Sequence, residues 1–248
     1  MRTYKTIRES LDETARDLLV RGITVECKSY QDKILEGNDR FVKELMGVDF
    51  MISKPMLGWR EAVQYLFKTD EETDKILKYC EQEIKDRTSG EMLNPGNSYK
   101  IRGDYWSNFL EGNNKFSYQY AERLWTNNQF GSVINCLRND PGTRQAVLSV
   151  WYPELDMNSE KLGGGNRIPC SLNYQFMIRN NRLHCIYHMR SSNFFEHLPI
   201  DLICAAGMMD YIVKQLKDTY PDLQVGSLSY LGGSLHGFQW SLSKFVLF

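Results

Sequence analysis

The 248-residue chain lacks several features that would fix its class at once. It has no Cys-x-x-Cys pair: Cys27, Cys80, Cys136, Cys170, Cys185 and Cys204 are scattered. That argues against a cysteine-built zinc site and suits thiols kept free in a reducing cytoplasm. It has no excess of either charge, since 30 basic and 31 acidic residues give a formal net charge of −1. Bulk charge therefore does not point to the DNA backbone or to an acidic membrane surface. No apolar run follows Met1-Arg2-Thr3-Tyr4-Lys5, so the expectation is a chain without signal peptide or membrane span. Internal repeats and low-complexity linkers are missing too. With 42% hydrophobic residues, the length suffices for one large core, and a single α/β domain over residues 1–248 is expected.

The hydrophobic pattern that is present switches between helical and strand periods. Ile7, Leu11, Ala15, Leu18 and Leu19 recur at helical spacing and Gly22 ends the stripe, predicting a helix over 4–21. Lys43 to Ser53 alternates as a strand and closes at Pro55. Gly58 to Leu66 reads as a helix with Trp59, Ala62, Val63 and Leu66 inward. Residues 71–85 read as a charged helix, and 130–138 as one with Val133, Ile134 and Leu137 inward. Between them, 88–114 is rich in Gly, Asn and Ser, and a loop of that length is usually functional or mobile. Gln145 to Trp151 and Val225 to Tyr230 read as strands. Residues 199–217 form a long helix with a broad apolar face, in which Gly207 implies close approach of a neighbouring element.

The most informative stretch runs from Arg167-Ile168-Pro169-Cys170 to Met189-Arg190-Ser191-Ser192-Asn193. From Ser171 to Arg179 the residues alternate, placing Leu172, Tyr174, Phe176 and Ile178 on one face and Ser171, Asn173, Gln175 and Met177 on the other. Asn180-Asn181 tolerates positive φ at both positions and predicts a tight hairpin. Its return strand, Arg182 to Met189, brings Arg190 back to the end that carries Cys170. A thiol and a guanidinium are thus candidates for one site, while a free cysteine is also a common small core residue. The glycine triplet within Lys161-Leu162-Gly163-Gly164-Gly165-Asn166 lacks the lysine and following helix of a nucleotide-cradling loop, and a flap before Cys170 is expected instead.

Pro169-Cys170 with Tyr174-Gln175-Phe176, then Arg190-Ser191, Leu198-Pro199 and the helical run from Asp201, resembles the nucleophile region of the thymidylate synthase superfamily. That group includes the pyrimidine-nucleotide hydroxymethylases of bacteriophages. Asn139-Asp140-Pro141-Gly142-Thr143-Arg144 followed by Ser149-Val150-Trp151 resembles its phosphate-binding arginine segment. Gly232-Gly233-Ser234-Leu235-His236 resembles its sugar-contacting turn, and Tyr118 to Leu124 the Tyr-x-x-x-Arg-Leu segment of archaeal-type members. The matches follow the family's order from residue 55 to residue 238. The resemblance implies a three-layer α/β (α+β) fold with a large mixed sheet and a buried central helix. It also implies a sheet-to-sheet homodimer whose active sites are shared between chains.

The same resemblance implies Cys170 as nucleophile, Glu61 as the helix carboxylate that organises water at the pyrimidine ring, and Asp201 as base reader. Arg144, Arg190, Ser191 and the N-terminal-loop Arg40 would hold the nucleotide phosphate, with His236 on the sugar. Tyr120, Gln175 and Asn193 would be further site contacts, Tyr105 and Trp106 candidate folate contacts, and Arg123 structural. Without the resemblance, Arg40 reads as a solvated loop arginine, Glu61 as an exposed helix carboxylate and His236 as a structural histidine.

Some positions depart from the family pattern. Arg144-Gln145 stands where most members have two successive arginines, so the phosphate is held by fewer charges or another arginine compensates. Asn193 replaces the aspartate that usually holds the pterin, and Phe238 the tyrosine that joins the histidine on the 3′ hydroxyl. Asp201 stands where thymidylate synthases carry asparagine and the phage deoxycytidylate hydroxymethylases aspartate. A carboxylate accepts from the 4-amino group of cytosine and would repel uracil O4, so cytosine is the expected base. The end at Phe248, soon after His236, is expected to favour water over hydride as the quencher of the methylene intermediate. The expectation is a 5,10-methylenetetrahydrofolate-dependent deoxycytidylate 5-hydroxymethylase of the cytoplasm. Its Cys170 thiolate, which needs positive surroundings, would add to C6. It would bind a pyrimidine nucleoside monophosphate and folate, and neither nucleic acid nor membrane. C5 methylation of dUMP or dCMP is the alternative within the family, and a non-catalytic nucleotide- or RNA-binding relative the alternative outside it.

Overall fold

The computed structural model describes residues 1–30, 33–157 and 167–246; the Lys161 to Asn166 insertion and the end at Phe248 lie outside the described residues. The chain begins with β1 (Arg2–Tyr4), α1 (Ile7–Arg21), β2 (Ile23–Glu26), β3 (Ser29–Tyr30), β4 (Lys33–Ile34) and β5 (Phe41–Ile52). Then come α2 (Trp59–Phe67), α3 (Asp70–Arg87), α4 (Gly103–Trp106), α5 (Tyr120–Trp125) and α6 (Gln129–Asn139). The second half holds β6 (Val147–Ser149), α7 (Pro153–Asp156), β7 (Ser171–Arg179), β8 (Arg182–Asn193), α8 (Leu198–Gln215), β9 (Gln224–Phe238) and α9 (Gln239–Val246).

The backbone of the fold is a mixed sheet in the order β1-β5-β9-β8-β7-β6, with β2 also paired to β5. β8 and β9 run parallel, and the pairing of Ser191 with Ser234 and of Asn193 with His236 brings two strand ends to one place. The β7–β8 hairpin turns as its sequence dictates: Asn180 and Asn181 take φ of 51° and 54°, and Arg179 pairs with Arg182. The return strand delivers Arg190 beside Cys170, where the Arg190 amide donates to the Cys170 carbonyl at 2.9 Å.

Strict alternation fails at the start of β7. The register shifts between Ser171 and Asn173, so Ser171 is fully buried and Leu172 is not, while Tyr174, Phe176 and Ile178 keep the inner face. A bulge adds one residue and reverses the side chains before it. Gly232 to His236 also differs from expectation, because these residues continue β9 and make no turn. Their glycines answer to packing: a Cβ on Gly233 would meet the Arg190 carbonyl at 2.7 Å.

Two helices set the floor beneath the sheet's site end. α8 is buried on nearly every side, with Leu202, Ile203, Met208 and Met209 fully enclosed. Each such side chain contributes roughly 1.5–3 kcal/mol on burial, which makes the helix a rigid support. α3 starts at an N-cap, Thr69, whose hydroxyl accepts from the Glu72 amide and donates to the Glu72 carboxylate. Its inward stripe runs Ile76, Tyr79, Cys80 and then, against the apolar pattern, Glu83 and Arg87. α3 can lie this close to α8 because Gly207 has no side chain; a Cβ there would collide with Ile84. Among the described residues no helix is long and apolar enough to cross a membrane.

Candidate active site

A cavity of about 440 Å³ opens where the ends of β8 and β9 face α3 and α8. Cys170 stands on its wall, half-buried at the mouth of β7. The Ser191 hydroxyl donates to its Sγ at 3.8 Å and Arg190 Nη2 lies 4.0 Å away. Arg190 is fixed by the segment that carries the thiol: Nε donates to the Pro169 carbonyl at 2.8 Å and Nη2 to that of Ile168 at 3.0 Å. A sulfur anion formed here faces a guanidinium and a hydroxyl held in place before any ligand arrives.

The floor is polar and buried. Arg87 Nε donates to Glu83 Oε1 at 2.8 Å, and the Ser98 hydroxyl donates to Glu83 Oε2 at 2.6 Å. Arg87 also donates to the Tyr174 hydroxyl at 3.4 Å and lies over the Tyr120 ring, 4.6 Å from its centroid. The Tyr120 hydroxyl accepts from the Ser171 amide at 3.4 Å, next to Cys170 in the chain. Asp201, from the first turn of α8, lines the same floor at 8% exposure. Burial lifts its carboxyl to about 7; Arg87 opposes the rise and Glu83 adds to it.

The far wall mixes rings and cations. The guanidinium of Arg167 lies 5.0 Å from the ring centre of Tyr118, 5.1 Å from Phe109, 5.3 Å from Phe116 and 5.4 Å from Trp106. Burial, with Arg102 and Arg167 nearby, pushes His197 down to about 4. His236 faces the cavity from β9 and is likewise pushed to about 4, by burial and then by Arg190. Its Nδ1 lies 3.4 Å from the Ser234 hydroxyl, which donates to Glu44. The Asn193 side chain accepts from the Phe195 amide at 3.2 Å, while its Nδ2 is buried with no acceptor among the described residues.

A thiol beside an arginine-serine pair, a buried carboxyl across the cavity and a mixed sheet behind them can be compared with known proteins. The family model described as Thymidylate synthase matches residues 67–243. The chain belongs to the thymidylate synthase family. Its fold agrees: thermostable thymidylate synthase A from Bacillus subtilis superposes with a TM-score of 0.66. The likeness covers 98% of this chain and 83% of that one at 14% identity, so it is one of fold.

Of the residues that family resemblance singled out, the cavity brings together Cys170, Asp201, Arg190, Ser191, His236, Tyr120 and Asn193. Five others lie elsewhere. Glu61 is exposed, because Ala62 and Val63 turn the apolar face of α2 into the core and leave the carboxylate outside. Arg40 pairs with Glu26 at 3.0 Å in an exposed 3-10 turn. Arg144 is exposed, and Gln175, on the outer face of β7, donates to its carbonyl at 2.9 Å. Tyr105 stands behind the wall with its hydroxyl 3.0 Å from His197 Nε2, whereas Trp106 reaches the cavity.

Sequence reasoning missed Glu83, Arg87 and Arg167. The first two carried a signal: they extend the Ile76-Tyr79-Cys80 stripe at helical spacing, the position where an apolar residue belongs. Arg167 carried none, since only the fold gathers its four rings.

Proposed function

We propose that the protein transfers a one-carbon unit to C5 of a pyrimidine nucleoside monophosphate through a covalent Cys170 adduct at C6. The carrying observation is one cavity holding the Cys170 thiol, flanked by Arg190 and Ser191, together with the Asp201 carboxyl. The sulfur adds to C6, and Arg190 offsets negative charge on the sulfur and on a nearby phosphate. Charge that moves onto the far edge of the ring meets the buried Asp201, whose proton is available near neutral pH. Glu83, fixed by Arg87 and Ser98, takes the water-organising role expected of Glu61. The Tyr120 hydroxyl, beside the Cys170 strand, is a candidate to take the C5 proton. His236 is neutral at physiological pH and suits a sugar hydroxyl.

The residues present fit a folate. Trp106, Phe116 and Tyr118 form an aromatic side of the cavity, and Trp106 Nε1 and Asn193 Nδ2 are buried donors without acceptors among the described residues. A flat, carbonyl-bearing heterocycle suits both features. 5,10-Methylenetetrahydrofolate would supply the one-carbon unit when bound. The outward Arg144 fits a homodimer in which it completes the partner's phosphate site.

The matched family model and structure are thymidylate synthases, which supports methylation of a uracil nucleotide as the first reading. Hydroxymethylation of dCMP is the second, favoured by the carboxyl at Asp201 in place of an amide. The test is tritium release from C5 of dUMP, dCMP and CMP with methylenetetrahydrofolate, and the mass of the product. Release by the wild type and none by Cys170→Ala is the expected result. Binding of a nucleotide without any exchange at C5 would instead make the protein a non-catalytic binding relative.

A further inference from the structure

Beside His236 the cavity is lined by Ser234 and by Glu44, which lies outside every family-like segment of the chain. The sheet holds the three side chains together. Glu44 in β5 pairs directly with His236 in β9, and Ser234 precedes His236 by two residues on the same face. The Ser234 hydroxyl donates to the Glu44 carboxylate and lies 3.4 Å from His236 Nδ1.

Counting hydrogens along this row fixes its direction. A hydroxyl has one hydrogen, and a carboxylate only accepts. With its hydrogen turned to Glu44, Ser234 meets the imidazole with a lone pair, so Nδ1 carries the ring hydrogen and donates it to Ser234. The ring is neutral, because burial pushes it down to about 4, with Arg190 adding to the fall and Glu196 opposing it. A neutral imidazole has a single N–H, and Nε2, the nitrogen turned away from Ser234, is left as an acceptor. The Phe238 ring, 5.4 Å from the imidazole between centroids, brings only carbon to this corner.

We propose that Glu44 and Ser234 are positioning residues that fix His236 as a hydrogen-bond acceptor, so that the substrate is a mononucleotide whose 3′ oxygen still carries its hydrogen. The inference rests on the one-carbon-transfer reading, in which His236 meets the sugar, and adds the direction of that contact and the residues that set it. An esterified or ether oxygen at the 3′ position has lone pairs and no hydrogen, and would face Nε2 as acceptor against acceptor. Nucleotides inside a polynucleotide strand and 3′,5′-bisphosphates are disfavoured on that ground. A row running the other way, with Ser234 donating to Nδ1, would turn Nε2 into a donor and welcome such oxygens.

Two measurements test it. Nitrogen-15 NMR of the ligand-free protein with labelled histidine, the His236 signal assigned by its loss in His236→Asn, should show the hydrogen on Nδ1. Calorimetry on Cys170→Ala then compares dUMP and dCMP, each against its 3′-fluoro counterpart, which is close in size to the hydroxyl compound but has no hydrogen to give. Preference for the hydroxyl by about tenfold is expected. Ser234→Ala and Glu44→Ala each free the imidazole to carry its hydrogen on Nε2, and should abolish most of that preference, whereas Ser234→Thr keeps the hydroxyl and should retain it. A hydrogen on Nε2 in the wild type, which needs no variant to fold, would overturn the inference. So would an unchanged hydroxyl-to-fluoro ratio in a Ser234→Ala protein with native circular dichroism. C5 tritium release by the wild type would in either case leave one-carbon transfer standing. Neither binding nor C5 exchange with any pyrimidine nucleotide would overturn both.

Discussion

Glu61 and Glu83 lie on successive helices, each next to an apolar residue, and in the linear chain they look alike. Folding sends them to opposite fates. α2 turns Ala62 and Val63 inward and leaves Glu61 in solvent, whereas α3 carries Glu83 inward on the stripe begun by Ile76, Tyr79 and Cys80. Water around Glu61 makes its charge cheap to hold. The Glu83–Arg87 pair is removed from water, and desolvation offsets much of what the pairing contributes. A carboxylate matters here by its place on the helical wheel, not by the company of its sequence neighbours.

The largest effect should come from outside the comparison and set its scale. Cys170→Ala is expected to lower turnover and C5 exchange by about 10⁴-fold or more, in an assay able to detect that residue's loss without loss of nucleotide binding. Next, Glu83→Gln should lower kcat by about 10²- to 10⁴-fold. Glu61→Gln should stay within about twofold of the wild type. Equal losses in the two glutamine variants would erase the distinction between the glutamates.

Stability sharpens it further. Glu83→Ala strands the Arg87 guanidinium and should cost about 3–5 kcal/mol in urea unfolding, against about 0.5 kcal/mol or less for Glu61→Ala. A smaller, pH-dependent effect belongs to Asp201. Its carboxyl is lifted from 3.8 to about 7, so in this range the unfolded chain gives up a proton that the folded one keeps. Native stability therefore falls as pH rises through that window, and the penalty is complete above it. Ligand-free Asp201→Asn should match the wild type near pH 4 and exceed it at pH 8, by on the order of a few kcal/mol in thermal unfolding. A difference that shrinks with rising pH would refute the assignment.

Much of the sheet side of the site was legible because its determinants are local. Two asparagines set the hairpin, and the hairpin sets Arg190 beside Cys170. His236 and Asn193 were legible as residues but not as neighbours, since their pairing depends on β8 and β9 running parallel across a helical crossover. The helical floor was harder to read. Glu83 and Arg87 reach the cavity only because α3 packs against α8, a contact between segments far apart in the chain. Glu61 lies outside the cavity for the converse reason: its family likeness came from adjacent residues, and those report the local pattern without saying which face of the helix is turned inward. Arg167 depends on rings from three separate parts of the loop between α3 and α5, which no spacing rule assembles.

The bare backbone at Gly207 sets how closely α3 approaches α8 beneath the cavity. With only a hydrogen at Gly207, the Ile84 side chain of α3 lies directly against the backbone of α8, in the space a Cβ would take. Each carbon added at that position would wedge the helices apart and raise the ion pair relative to Asp201, altering the gauge of the floor without changing its charge. One hydrogen atom, where other residues have a branch, is thus the zero mark from which the room for a ring is measured.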